Sequence, residues 1–209
     1  MSNGRLFLDI HAIQVLPPSN VNRDDTGSPK TARYGGVVRA RVSSQSWKKA
    51  MRDYLKEFGD NFGIGVRTVK VRDYIVSKML AKDTALSQET AEKKAEEVLK
   101  AAGMKLKDGK LSALFFIGVK QAEALAEAAI KGEKDKEKLS AAMKDNPEID
   151  IALFGRMLAD DPTKNEDASS QVAHAISTHE VQTEYDYFTA GDDLADQGNA
   201  GAAMIETNE

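Results

Sequence analysis

Cysteine is absent from this chain, which excludes disulfide bonds, thiolate metal sites and a cysteine nucleophile. A reducing cytoplasm is the natural setting for such a sequence. No run of about 18 or more apolar residues occurs, so no transmembrane helix is expected. The opening stretch MSNGRLFLDIHAIQVL has neither a charged n-region nor a small-residue cleavage site, and no signal peptide is expected. Histidines number three. His174 and His179 stand five apart, which suits neither one face of a helix nor one face of a strand. A zinc pair on a helix wants a spacing of three or four, so no metal site is expected. His11 has no partner at a recognisable catalytic spacing. No GxxxxGK[ST] phosphate loop is present, and Gly35-Gly36 and Gly63-x-Gly65 lack the strand–glycine–helix context of one. Paired acids can hold Mg²⁺. Asp24-Asp25, however, follows Arg23 directly and fits better as a loop fixed by hydrogen bonds and ion pairing. No catalytic residue and no cofactor is nominated.

What the chain does have is charge, unevenly placed. Hydrophobic residues make up 41% and charged residues 30%, ordinary for a soluble globular protein, and 209 residues suffice for one good-sized domain or one with a large insertion. Residues 1–60 carry 10 Lys and Arg against 6 Asp and Glu. Residues 61–144 carry 17 against 12, and residues 145–209 carry 2 against 15. A basic first part and an acidic last part invite head-to-tail contact between copies, the kind that makes rings or filaments. A solvated acidic surface explains the same numbers equally well.

Residues 6–16, LFLDIHAIQVL, place Leu6, Leu8, Ile10 and Ala12 at period two, which predicts a strand with one buried face ended by Pro17-Pro18. Residues 19–30 read as a loop. Gly35-Gly36 permits a tight turn, and residues 37–42 alternate as a short strand with Arg39 and Arg41 on one face. Ser43 or Ser44 is a suitable N-cap for a helix running to about Phe58. Its apolar stripe is Trp47, Ala50, Met51, Tyr54, Leu55 and Phe58, with Gln45, Lys48, Lys49, Arg52 and Lys56 opposite. From Val71 to about Asn146 the pattern is mostly helical, with a stop at Gly103, a turn at Asp108-Gly109 and another stop at Gly132. Residues 111–119 fit a strand or the start of a buried helix, and periodicity does not separate the two. Residues 149–154 form a short apolar run. Residues 172–176 and 178–183 are strand-like. From Gly191 onward the chain is polar and glycine-rich, and no terminal helix or strand is expected.

The densest signal is residues 28–52, with seven Lys and Arg and no acid inside an acidic protein of net charge −4. Such a segment points to a polyanion, nucleic acid first. Arg39 and Arg41 would project from a strand. Ser43 and Ser44 would offer hydroxyls and N–H groups at a helix start, a ready anion site, and Gln45, Lys48, Lys49 and Arg52 would extend a helix face. Nothing in the set reads base edges, which implies recognition of the backbone and steep salt dependence. A solvated basic helix is the plainer alternative.

The stretch LPPSNVNRDDTGSPKTARYGGVVRARVSSQSWKKAMR resembles the N-terminal signature of the CasC family, the backbone subunits of the type I-E CRISPR Cascade complex. IDIALFGRM, QVAHAISTHEV and YDYFTAGDDL resemble the same family in the same order, so the likeness spans residues 6 to about 198. The resemblance implies an α+β fold: a ferredoxin-like, RRM-type palm with a large helical insertion (fingers) and a thumb loop. It implies palm at 1–60, fingers at 61–146, a return to the palm at 147–190, and the start of the thumb at 191–209. Family members continue with further palm strands, so the chain reads as lacking a C-terminal part. It also implies partners: the CRISPR RNA (crRNA), target DNA through that guide, neighbouring copies of the chain and other Cascade subunits, with no membrane. By residue, Arg23 and Lys30 match positions near the guide backbone. Ser43, Ser44, Gln45, Lys48, Lys49 and Arg52 match the phosphate-holding helix start, and Met157 matches a methionine placed against RNA bases. The expected function is a non-catalytic crRNA-binding scaffold that polymerises along the guide. The rival is a CRISPR RNA-processing endoribonuclease on a similar fold, with His11 or His174 as general base. A helical module whose basic face meets an acidic protein is a second.

Overall fold

The structure is a computed structural model that describes residues 6–58, 63–158, 161–191 and 200–208. It is a mixed α+β protein in two compact units, Met1–Ser46 with Ala173–Glu209, and Trp47–Val172.

In the first unit, strands β1 (Thr31–Tyr34) and β2 (Val37–Val42) form a hairpin. Gly35 and Gly36, with φ of +66° and +85°, are its two central turn residues. A two-residue hairpin with left-handed φ at both positions matches the right-handed strand twist, and glycine adopts it without steric cost. Asp24 ties the preceding loop together. Its Oδ1 accepts from the Thr26 backbone N–H (2.9 Å), the Thr26 hydroxyl (2.7 Å) and the Ser28 N–H (3.0 Å), and these donors, the Thr26 hydroxyl first, pull its pKa down. The glycine-rich sequence from 191 onward was not expected to end in a strand. It does: late in the chain, the strands Glu184–Gly191 and Ala200–Asn208 pair antiparallel with each other. Neither has a helical period, and each supplies the other's backbone partners. A short strand, Ala175–Ile176, lies on the far side of β2 from β1, so β2 is the centre of a three-stranded sheet.

Residues 6–16 are not a strand, and Leu6, Leu8 and Ile10 are exposed. Alternation reports a face that can be buried, whereas a strand also needs a neighbour for its N–H and C=O groups. None of the described strands pairs with this segment.

The second unit is helical. It begins within α1 (Ser44–Glu57) and contains β3 (Val66–Thr68), α2 (Val71–Lys82) and α3 (Gln88–Ala101). A tight hairpin of β4 (Leu106–Lys107) and β5 (Lys110–Leu111) turns at Asp108-Gly109, both at left-handed φ. Next come β6 (Phe115–Ile117), α4 (Val119–Lys131), α5 (Lys136–Lys144) and α6 (Ile149–Phe154). The late strands of the first unit complete the set as β7 (Ala175–Ile176), β8 (Glu184–Gly191) and β9 (Ala200–Asn208). The ambiguous run 111–119 resolves into both of its candidates, the strand β6 and the start of α4. Gly118 divides them, and its N–H donates to the Gln121 Oε1 at 3.1 Å. Ser87 caps α3 through the Thr90 N–H and Asp135 caps α5 through the Glu137 and Lys138 N–H groups, as short oxygen-bearing side chains do at N-termini. Ile75, Met79, Leu99, Leu125 and Leu139 meet in the core between α2, α3, α4 and α5, and Phe115 and Ile117 of β6 join them. Among the described residues no helix is long and apolar enough to cross a membrane.

Below this core the ammonium of Lys164, in a 3₁₀ turn (Pro162–Lys164), is buried and paired with Asp161. Lys164 and the Thr163 hydroxyl hold the Asp161 carboxyl at about 2, well below its ordinary value near 3.8. A carboxylate with a depressed folded-state pKa contributes stability above its unfolded pKa and loses it as pH falls toward the folded value. The denaturant midpoint of the wild type should therefore drop between about pH 4 and pH 2. Asp161→Asn should start lower at neutral pH and show a shallower drop over that window. Urea titrations at stepped pH check this.

Candidate nucleic-acid interface

The nominated residues fall into both units. In the first, β1 and β2 pair Ala32 with Arg39 and Tyr34 with Val37, and the Arg41 N–H donates to the Lys30 carbonyl at 2.8 Å, extending the ladder by one residue. Directly opposed residues of an antiparallel pair share a face. Lys30, Arg39 and Arg41 thus lie on one face of the sheet, with Tyr34 beside them, and Arg33 lies on the other. Arg39 is anchored: Nε donates to the Tyr34 carbonyl at 3.0 Å and NH1 to the Ser177 carbonyl at 2.9 Å. Both acceptors are neutral, so its charge is not cancelled. Arg41 Nε is buried with no hydrogen-bond partner among the described residues. Among those residues no carboxylate lies within ion-pairing distance of Lys30, Arg39 or Arg41. Arg23 sits at the mouth of the Asp24 loop, where it bridges to Pro29.

The helix start differs from the open anion cradle expected of Ser43 and Ser44. The Ser43 N–H donates to Asn22 Oδ1 (2.9 Å), the Ser44 N–H to His174 Nδ1 (3.2 Å), and the Ser46 N–H to the Ser43 hydroxyl (3.3 Å). Ser43 is buried as the N-cap. The amides of Ser43, Ser44 and Ser46 are thus engaged within the chain. Gln45 is exposed. His174, nominated as a base in the rival reading, has a structural bond on one ring nitrogen.

In the second unit, α1 separates its cations by role. Lys48 has no carboxylate within ion-pairing distance among the described residues. Lys49 pairs with Asp53 at 2.7 Å on the exposed face, and Lys56 holds the other oxygen of Asp53 at 2.9 Å. The two lysines keep Asp53 at about 2. Exposed pairs of this kind are weak and salt-screened, so Lys49 can exchange Asp53 for a phosphate. Arg52 is different. Its Nε donates to Asp150 Oδ2 at 2.8 Å and NH2 to the Gly65 carbonyl at 3.1 Å, while Asp150 Oδ1 accepts from the Gly65 N–H at 2.9 Å. Asp150 is fully buried, and the guanidinium lies 4.3 Å from the centre of the Phe116 ring. Arg52 therefore ties α1 to β3 and α6. Helical spacing puts it on the basic face but does not show a buried acid 98 residues away. Arg67, which lies outside the basic 28–52 segment, approaches the same ring at 4.9 Å. The apolar stripe of α1 is not buried either: Met51, Tyr54 and Phe58 are exposed, although Tyr54 and Phe58 pack edge to face at 5.0 Å. Met157, also in this unit, is exposed at the end of a short segment after α6. Among the described residues no group of three or more potential metal ligands occurs.

A family model described as CT1975-like protein, a Cas family, matches residues 8–209. The chain belongs to the CT1975-like family. Among solved structures, this CT1975-like chain is similar to one from a "CRISPR RNA-guided surveillance complex, pre-nicking", at 32% identity with a TM-score of 0.68. It is also similar to one from a "CRISPR RNA-guided surveillance complex", at 29% identity with a TM-score of 0.59. Each match covers 92% of this chain and 59% of the other, so the CT1975-like chain spans under two thirds of the length of these relatives. No curated protein matches it.

The two kinds of cation on α1 separate in stability measurements. Breaking a buried pair by removing one partner typically costs about 3–5 kcal/mol. Asp150→Ala or Arg52→Ala should destabilise the protein by about that amount, while Lys48→Ala should stay within about 0.5 kcal/mol of wild type. Equilibrium denaturation of the three variants tests the division.

Proposed function

We propose that this chain is the crRNA-binding backbone subunit of a type I-E CRISPR surveillance complex, a CasC-like protein without catalytic activity. The observation that carries the proposal is the match, across 92% of the chain at 32% identity, to a chain of an RNA-guided surveillance complex. The cations without carboxylate partners, Lys30, Arg39, Arg41 and Lys48, supply the chemistry that a guide backbone requires. On this reading the first unit belongs to a ferredoxin-like palm and the helical unit includes the fingers. The guide's ribose-phosphate strand is held electrostatically, and copies of the chain stack along it with other Cascade subunits. The guide's bases stay available to pair with target DNA, so target choice is delegated to base pairing. Met157 faces bases as an unbranched, adaptable apolar wedge, a contact that every base accepts because every base has a π-face.

For single-stranded nucleic acid each neutralised phosphate contributes about −0.7 to the slope of log K against log salt. Lys48→Ala with Lys49→Ala should weaken RNA retention equally for unrelated sequences and flatten that slope by about 1.4. Fluorescence anisotropy with two unrelated guide-length RNAs across a salt series measures both. A loss confined to one sequence would contradict backbone recognition. Cleavage of repeat RNA by the purified chain, abolished in His11→Ala or His174→Ala, would favour the endoribonuclease instead.

A further inference from the structure

Met157 is 84% exposed, yet its neighbours on either side are buried, Arg156 to 5% and Leu158 to 7%. An exposed apolar side chain between two sequestered residues is ordinary in a strand. Here the flanks are also bonded in an unusual way. The Arg156 N–H donates to the Glu166 carbonyl (2.9 Å) and its own carbonyl accepts from the Glu166 N–H (2.8 Å). The Leu158 N–H donates to Asn165 Oδ1 at 2.6 Å. Just upstream, Gly155 has φ of +75°, and a Cβ there would lie 2.8 Å from the Glu166 carbonyl oxygen. Only glycine allows the chain to approach Glu166 so closely.

The Arg156 side chain completes the clamp. Its Nε donates to the Lys164 carbonyl (3.0 Å), NH1 to the Phe116 carbonyl (3.0 Å) and Gln121 Oε1 (3.1 Å), and NH2 to the Met143 carbonyl (2.8 Å). The guanidinium also stands 5.0 Å from the centre of the Phe115 ring. Among the described residues no carboxylate lies within ion-pairing distance of it, so a buried cation is held by neutral acceptors alone. Volume-matched apolar residues fill such a position at lower cost in solvation. What a planar fork of five donors provides, and an apolar side chain does not, is fixed direction.

We propose that Arg156 and Asn165 are positioning residues that fix the backbone at Met157, so that its side chain is aimed against a nucleobase of the bound RNA. Arg156 orients the segment from its N-terminal side and Asn165 from its C-terminal side. A binding group is effective only when its supporting shell fixes its geometry, and a methionine side chain, flexible in itself, gains direction from a backbone that cannot pivot. The inference rests on the base-facing reading of Met157 given above.

The test uses the full chain and single-stranded RNA carrying one 2-aminopurine, a base whose fluorescence rises when it is unstacked, placed at successive positions. Fluorescence is read at saturating protein, so that affinity does not enter. Wild type should raise the signal severalfold at selected positions, and Met157→Ala should abolish the rise. Asn165→Ala should remove at least half of it. Asn165→Asp, which keeps an oxygen for the Leu158 N–H, should restore it. Arg156→Lys should behave like Asn165→Ala; if it does not fold, the Asn165 pair carries the test. A full rise in Asn165→Ala, or a loss in Asn165→Asp equal to that in Asn165→Ala, overturns the positioning role. A rise that survives Met157→Ala overturns the base-facing role of Met157. RNA that is not retained by the wild type overturns the proposed function itself.

Discussion

The guanidinium of Arg156 is where four elements of the helical unit meet: the 3₁₀ turn through Lys164, β6 through Phe116, the first turn of α4 through Gln121, and the end of α5 through Met143. Burial of a cation is expensive unless its donors are satisfied. Here the acceptors are backbone carbonyls whose positions follow from the packing of the helices, together with Gln121, whose own amide oxygen also receives the Gly118 N–H. The bonds are thus interdependent: β6 must end at Gly118, α4 must start there, and α5 must stop at Lys144 for the fork to close. Desolvation lowers the pKa of Arg156 from its ordinary value, but a guanidinium stays charged across any physiological pH, so the knot is permanent and insensitive to pH.

Arginine and lysine stand in two different settings in this protein. Arg156, Arg52 and Lys164 face inward and hold the helical unit together, on carbonyls in the first case and on carboxylates in the other two. Lys30, Arg39 and Arg41 share one face of the small sheet and meet no carboxylate among the described residues, so their positive potential is left for a partner. Lys48 does the same on α1, and Lys49 gives up little in leaving Asp53. Segregation of this kind suits a protein that binds a polyanion through its backbone. Arg39 shows that the division is not absolute, because its guanidinium also ties β2 to the Tyr34 and Ser177 carbonyls.

Local chemistry made much of the architecture legible. The double glycine at 35–36 permits a tight turn or a close backbone approach, and it forms the turn. Ser43 and Ser87 are helix caps. Asp108-Gly109 and Gly132 adopt the left-handed conformations that their residue types favour. The helices α2 to α5 follow from periods of three and four, because a stripe that matches the helical repeat finds its partner in the neighbouring helices. The candidate site was legible as composition, a run of seven cations, but not as a division of labour, because whether an arginine contacts ligand or fold depends on an acid or carbonyl far away in sequence. The tail from 191 was misread because glycine and alanine carry little propensity, and the strand there exists through pairing with β8.

What the sequence determined alone is what adjacent residues decide among themselves: turns, caps, helix periods, and the concentration of positive charge between residues 28 and 52. Only the tertiary structure decided that residues 6–16 pair with none of the described strands despite their alternation, that the N–H of Ser44 goes to His174, that Arg52 belongs to Asp150, and that Met157 is held between two buried residues. Each of these is a choice of partner across a long sequence separation. Propensity and periodicity describe what a segment can offer, whereas hydrogen bonds and ion pairs depend on which complementary group the fold brings within about 3 Å.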